Sequence, residues 1–200
     1  MELTEDEKKR LEDFLKERDS DFDTVNTECY KPEVYFPNIG GEDLTKETAN
    51  DLTKDNIEAL LEWKSARFFS KKSGNVQKVL GKDDENIEKI NSFRKGESDE
   101  FEPIFKSGDV YNVLIKHIAR PWDYPLYDYH VLGAYFRLKL GFSQQDLYND
   151  YRKFFFDMYN AVFGENSPRS VGKMKALDSA LFNYDKEKEK QKNPNQTKED

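Results

Sequence analysis

Hydrophobic residues recur along the chain with the 3.6-residue period of amphipathic helices, and junctions rich in proline, glycine and polar residues separate the runs. The strongest apolar stripe lies in residues 144–163 and predicts a helix that ends at Gly164. Thr4 and Glu7 have capping-box spacing and predict a helix near the N-terminus. Comparable patterns predict further helices over residues 53–70, 108–119, 128–140 and 168–186. The chain is therefore predicted to be all-α, as a single-domain array of several helices.

Two segments depart from this pattern. Residues 25–50 contain Pro32, Pro37 and adjacent glycines, so we expect an irregular segment that lies on the core. Residues 187–200 alternate charged and polar side chains without an apolar anchor, which is typical of a disordered charged tail. The predicted domain therefore covers residues 1–186.

Composition narrows the choice of function. Aromatic residues make up 14% of the chain and charged residues 36%, which is enough apolar surface for a core beneath an ionic exterior. The formal net charge of −8 disfavours nonspecific attraction to phosphates. The single cysteine, Cys29, excludes an intramolecular disulfide, and no apolar run has the length needed to cross a bilayer. We expect a cytoplasmic protein without a membrane partner, and the pattern does not indicate an oligomeric state.

The most unusual stretch is HIARPWDYPLYDYHVLGAYFRL, residues 117–138, which contains both histidines of the chain. Pro121 predicts that the preceding helix ends, because proline disfavours helical geometry in the residue before it. Asp128 is a preferred N-cap residue, and its carboxylate can accept hydrogen bonds from the free amides of a new helix. The stretch is thus predicted to be an aromatic turn between two helices.

The residues Asp128, His130 and Val131, followed by a helix, resemble the Asp-x-His-Val segment of the helix-hairpin-helix DNA glycosylases. The resemblance covers residues 108–138 and implies that Asp128 takes the place of the family's catalytic aspartate. Gly108 falls on the last hairpin glycine, but the usual second glycine is missing. Val110 falls on the lysine nucleophile of the bifunctional members, so an enzyme of this type would be a monofunctional N-glycosylase without lyase activity. No cofactor is implied.

The same stretch is also similar to a group of bacterial proteins without an established activity. Their segment HI-x-x-P-x-x-YP-x-x-D-x-HV is matched here by HIARPWDYPLYDYHV, and their later run by KMKALDSAL. This resemblance implies a bacterial protein and carries no implication for chemistry.

A carboxylate held by helix amides stays ionised and can stabilise positive charge on a sugar, which makes Asp128 the candidate catalytic residue. Aromatic rings can stack on bases and cations can reach phosphates. The candidate nucleic-acid-binding residues are Arg120, Trp122, Tyr127, His130, Arg137 and Lys139. The alternative is that the same residues cap and pack a helix junction.

A metal site is not predicted. His117 and His130 lie 13 residues apart on different predicted helices, unlike a His-x-x-x-His pair on one helix face. His117 is better explained as a core histidine bonded to a backbone carbonyl, and His130 as a partly exposed residue of a first helical turn.

Two hypotheses for the function follow. The first is a nucleic-acid-associated protein, with DNA as its partner, built on a degenerate glycosylase-like scaffold. The second is a nonenzymatic protein-interaction or regulatory protein. A basic face beside Asp128 would favour the first hypothesis, whereas an exposed apolar face would favour the second.

Overall fold

The computed structural model describes residues 5–6, 9–10, 13–14, 45–46, 49–65, 69, 74–106, 109–126, 129–138 and 147–192. Within these residues the chain is 72% helical and contains no strand, so the predicted all-α class is confirmed. Contacts divide the chain into two units. Unit 1 comprises Met1–Val25, Tyr127–Pro168 and Gly172–Asp200, and unit 2 comprises Asn26–Leu126 and Arg169–Val171. The single domain predicted over residues 1–186 stays a prediction.

Unit 2 contains four of the helices whose bounds the structure describes. They are α1 (Lys54–Ser65), α2 (Asn75–Leu80), α3 (Asn86–Lys95) and α4 (Asp109–Ala119), with a 3-10 turn at Lys82–Asp84 between α2 and α3. Gly81 separates α2 from that turn with a φ of 83°, a left-handed geometry that glycine adopts without strain.

The core of unit 2 consists of the apolar faces of these helices. Helix α1 begins with a reciprocal cap, because the Thr53 amide donates to Asn56 Oδ1 at 3.0 Å and the Asn56 amide donates to Thr53 Oγ1 at 3.2 Å. The cap sets the start of the helix whose apolar stripe is buried. The buried residues of this core include Ile57, Leu60, Leu61, Val79, Leu80, Ile90, Phe93, Leu114 and Ile118.

Unit 1 contains α5 (Tyr129–Leu138), α6 (Leu147–Phe163) and most of α7 (Val171–Lys192). Phe14, from the predicted N-terminal helix, is fully buried in the same core and makes an edge contact with Tyr184 at 5.3 Å. The predicted stripe of α6 is confirmed. Its buried residues are Tyr151, Phe154, Phe155, Phe156, Met158 and Tyr159.

Helix α7 differs from its prediction at both ends. It begins at Val171 rather than at Pro168. The Pro168 carbonyl, which precedes the helix, accepts a hydrogen bond from the Tyr159 hydroxyl at 2.7 Å. The helix continues through Lys192, beyond its predicted end at residue 186 and into the tail predicted over residues 187–200. Glu189 lies in this extension and contacts side chains of α5, which ties the added turn to unit 1.

Of the predicted irregular segment at residues 25–50, the structure describes residues 45–46 and 49–50, and none of these is helical. The remainder of that prediction lies outside the described residues, as does the tail beyond residue 192.

Candidate functional site

Three residues of the predicted nucleic-acid site lie outside the described residues. They are the candidate catalyst Asp128 and the candidate binding residues Tyr127 and Lys139. Their roles therefore stay predictions. The other four candidates are described, and they belong to different units. Arg120 and Trp122 are part of unit 2, whereas His130 and Arg137 are part of unit 1.

Arg120 is held within its own turn. Its guanidinium pairs with the Asp123 carboxylate, to which Nε donates at 2.9 Å, and it lies over the Phe93 ring at 5.0 Å. Only 15% of the side-chain surface is exposed. A phosphate would have to compete with an internal carboxylate for this cation, so the local geometry favours a packing role.

Trp122 is 2% exposed, with the Arg94 guanidinium 5.2 Å from its ring centroid. The ring is therefore buried, whereas stacking on a base would require an accessible surface. His117 is 5% exposed, and its Nδ1 is bonded to the Tyr124 carbonyl oxygen at 2.7 Å. The prediction of a core histidine bonded to the backbone is confirmed.

Arg94 organises the end of α4. Its Nε donates to the Asn50 carbonyl at 2.7 Å, and Nη1 donates to the carbonyls of Ile118 and Ala119 at 3.3 and 2.8 Å. The last carbonyls of a helix have no amide partner within the helix, so this side chain serves as a C-terminal cap. Burial lowers the pKa of Arg94 to about 10, which leaves it a cation at neutral pH.

His130 and Arg137 meet a buried carboxylate from α7. Asp185 has no exposed surface. Its Oδ2 lies 2.9 Å from His130 Nδ1, and its Oδ1 accepts a hydrogen bond from Arg137 Nε at 2.6 Å. The histidine and the arginine are each 24% exposed. They are seven positions apart on α5, so the helical repeat places them on one face. The sequence did not indicate their partner.

Gly133 lies between them on that face and allows the close approach. A Cβ atom at this position would lie 2.4 Å from Asp185 Oδ1, far inside van der Waals contact. Glycine costs about 1 kcal/mol relative to alanine in a helix interior. Its presence is explained by the carboxylate that packs against the backbone of α5.

Glu189 extends the cluster by one helical turn of α7. Its Oε2 lies 3.8 Å from His130 Nδ1, and its Oε1 accepts a hydrogen bond from the Tyr129 hydroxyl at 3.1 Å. That hydrogen bond, together with the negative charge of Glu189, raises the pKa of Tyr129. We call His130, Arg137, Asp185 and Glu189 the α5–α7 cluster.

A second face of α5 is apolar and exposed. Tyr129 is 73% exposed and Phe136 is 40% exposed. Leu132 lies between them in the helical repeat and is partly buried against the core of unit 1. The opposite face is buried in the core of unit 1 through Val131, Ala134, Tyr135 and Leu138. Helix α5 therefore has a core face, a polar face toward Asp185, and an apolar face toward solvent.

Sequence reasoning missed Asp185 and Glu189 because they lie in a charge-rich run that resembles a solvated tail. Two signals could have found them. The acids are four residues apart, which places both on one helix face. Gly133 is a glycine inside a strongly periodic helix, a position that often marks a close approach.

Comparison of the chain with protein-family models, curated protein sequences and solved structures finds no match. The resemblance to helix-hairpin-helix glycosylases and to the bacterial group stays a prediction from the sequence. Among the helices of the described ranges, none combines the length and the apolar character needed to span a bilayer.

Proposed function

We propose that the chain is a nonenzymatic interaction protein that presents the apolar face of α5 to a protein partner. The observation that supports this most directly is the exposure of Tyr129 and Phe136 beside Leu132. Their spacing of i, i+3 and i+7 is the one by which a helix inserts anchors into an apolar groove of a partner. Aromatic anchors are also enriched among the residues that dominate binding energy.

The charge of the chain narrows the kind of partner. The formal net charge is −8, and Glu189 borders the exposed ring of Tyr129. Two copies of the chain would bring like net charges together, whereas a groove with a basic rim would attract the acidic chain. The proposed partner is therefore a different protein with an apolar, basic-rimmed groove.

The nucleic-acid hypothesis receives less support from the described residues. Arg120 is paired with Asp123, and both His130 and Arg137 contact the Asp185 carboxylate. These side chains would have to leave internal partners to bind phosphates. The hypothesis of a glycosylase-like scaffold rests on Asp128, which lies outside the described residues, and it is an outcome that the test must distinguish.

The test begins with a photo-crosslinking amino acid in place of Leu132, so that Tyr129 and Phe136 are retained. A crosslinked protein counts only after it has been purified and its binding to the full chain has been measured by titration. We expect Phe136→Asp to weaken that binding at least tenfold, since a charge would be buried in the groove. Val110→Asp is the matched control, because Val110 is 52% exposed on α4 of unit 2, and it should change affinity less than twofold.

A parallel titration uses short duplexes that contain abasic or damaged bases, at low and moderate salt. We expect no salt-dependent binding and no strand cleavage. Salt-sensitive DNA binding that survives Phe136→Asp but is lost in Asp128→Asn would overturn the proposal in favour of the nucleic-acid hypothesis. Equal effects of Phe136→Asp and Val110→Asp on the protein partner would also overturn it.

A further inference from the structure

The two carboxylates of the α5–α7 cluster divide their oxygens in the same way. One oxygen of each is engaged by a donor at the side: Arg137 Nε donates to Asp185 Oδ1, and the Tyr129 hydroxyl donates to Glu189 Oε1. The other oxygen of each, Asp185 Oδ2 or Glu189 Oε2, lies near His130 Nδ1. Three potential ligand atoms therefore lie within 4.8 Å of one another. Arg137 and Tyr129 orient the two carboxylates through hydrogen bonds.

From this convergence we propose that His130, Asp185 and Glu189 bind a divalent transition-metal ion, with Zn²⁺ as the best match. One imidazole nitrogen and two carboxylate oxygens are ligands that zinc accepts, and three protein ligands leave a fourth tetrahedral position for water. Ions of this type are also held by carboxylates that are themselves hydrogen-bonded, as Arg137 and Tyr129 arrange here.

The distances suit such an ion. With bonds of about 2.0–2.2 Å, tetrahedral ligand atoms lie roughly 3.3 Å apart. His130 Nδ1 lies 2.9 Å from Asp185 Oδ2 and 3.8 Å from Glu189 Oε2, and one ligand atom from each residue fits within 4.8 Å of the others. To reach this spacing, His130 would move slightly away from Asp185 Oδ2 and Glu189 slightly toward His130, while Asp185 is held by Arg137 and packs against Gly133.

The charges are also compatible with a divalent ion. The two carboxylates contribute two negative charges, the Arg137 guanidinium offsets one, and a neutral imidazole adds none. A bound divalent ion would change the summed charge of these groups from −1 to +1. Beside Arg137 alone, without the two carboxylates, the summed charge with the ion would be +3. Arg137 lowers the affinity through repulsion, but its hydrogen bond also holds the Asp185 carboxylate in place.

Binding has a defined proton balance. The ion accepts the lone pair of Nδ1, so an imidazolium must release one proton to solvent for each ion bound. A neutral ring with its hydrogen on Nδ1 transfers that hydrogen to Nε2 through exchange with water. No electron is transferred, and no covalent bond other than those to hydrogen is broken. Protons and metal therefore compete for His130.

The test uses the full chain with Cys29→Ser and with any affinity tag removed, because thiolates and histidine tags bind zinc themselves. ZnCl₂ is titrated in competition with a fluorescent chelator, and MgCl₂ serves as a comparison. We expect one Zn²⁺ per chain and no competition by Mg²⁺, which prefers oxygen ligands. Titration with CoCl₂ should produce the visible d–d absorption of a tetrahedral site.

Variants assign the ion to the cluster. We expect His130→Gln to lower zinc affinity at least 100-fold and Glu189→Gln at least tenfold. Glu187→Gln, an exposed acid on the same helix, is the matched control and should change affinity less than twofold. Circular dichroism confirms that each variant is folded, and these substitutions avoid the fully buried Asp185.

Three outcomes would overturn the proposal: no stoichiometric zinc binding, binding that survives His130→Gln, or equal losses in Glu189→Gln and Glu187→Gln. The test is independent of the proposed partner. Phe136→Asp lies outside the ligand set and should leave zinc affinity unchanged even where it abolishes partner binding.

Discussion

Arg94 in unit 2 and Asp185 in unit 1 are both buried charged side chains, but their partners differ in kind. Arg94 donates to main-chain carbonyls at the end of α4 and near residue 50. Asp185 is bound by the side chains of His130 and Arg137. Main-chain carbonyls neither titrate nor rotate away, whereas a histidine can lose its proton and turn. The first arrangement is therefore a closed structural cap, and the second can exchange one partner for another.

The largest loss of stability is expected when Arg94, which caps the end of α4, is replaced. Arg94→Met keeps an apolar stem beside Trp122 but leaves buried carbonyls without their donor, so we expect a loss of about 3 kcal/mol in the free energy of unfolding. Lys95→Met is the matched control, because Lys95 forms an exposed ion pair with Asp51, and this substitution should cost much less stability than Arg94→Met. Urea unfolding of both variants measures the difference. Similar losses in the two variants would contradict the assignment of Arg94 as the C-terminal cap of α4.

A smaller effect is expected at the close approach in unit 1. In Gly133→Ala the new Cβ would displace the Asp185 carboxylate, and we expect a net loss of about 1–2 kcal/mol in spite of the higher helix propensity of alanine. In an Asp185→Ala background the same change should be neutral or stabilising. A double-mutant cycle measures this coupling. Additive effects would contradict the assignment of Gly133 as the residue that admits Asp185.

The smallest effect concerns the pKa of Tyr129, which donates a hydrogen bond to Glu189 of the α5–α7 cluster. The hydrogen bond to Glu189 raises the pKa of Tyr129, so the folded protein holds the phenolic proton more tightly than the unfolded chain. The resulting stability is present below the unfolded pKa of about 10 and is lost as the pH rises through the raised folded value. Glu189→Gln should lower the pKa of Tyr129, measured by tyrosinate absorbance relative to Tyr129→Phe. No change in Glu189→Gln would contradict the hydrogen bond.

Much of the fold could be predicted because helical periodicity is a local signal. The stripe of α6 and the break at Pro121 follow from spacing and from proline geometry within a few residues. The end of α7 could not be predicted, since residues 187–192 lack apolar side chains. Contacts of Glu189 with residues some sixty positions earlier tie this turn to unit 1, and no local pattern encodes such contacts.

The candidate site was predicted only in part. His130 and Arg137 were named as candidate site residues, and an exposed apolar face was named as the feature that would favour an interaction protein. His130 and Arg137 share the partner Asp185, which lies on a distant helix. Asp185 is buried, although hydropathy assigns an aspartate to the solvent-exposed surface. Trp122 was a stacking candidate because aromatic rings suit both cores and binding surfaces, and only the fold places it 2% exposed.

The chain contains two histidines, one in each unit, and they provide the most direct test of the central claim that the α5–α7 cluster can exchange partners while the interior of unit 2 cannot. The measurement follows the ring nitrogens of both histidines by long-range ¹⁵N NMR during titration with ZnCl₂. We predict that the Nδ1 signal of His130 shifts and saturates at one equivalent, while His117, bonded to the Tyr124 carbonyl, does not change. An unchanged His130 signal, or equal shifts at both histidines, would contradict the account.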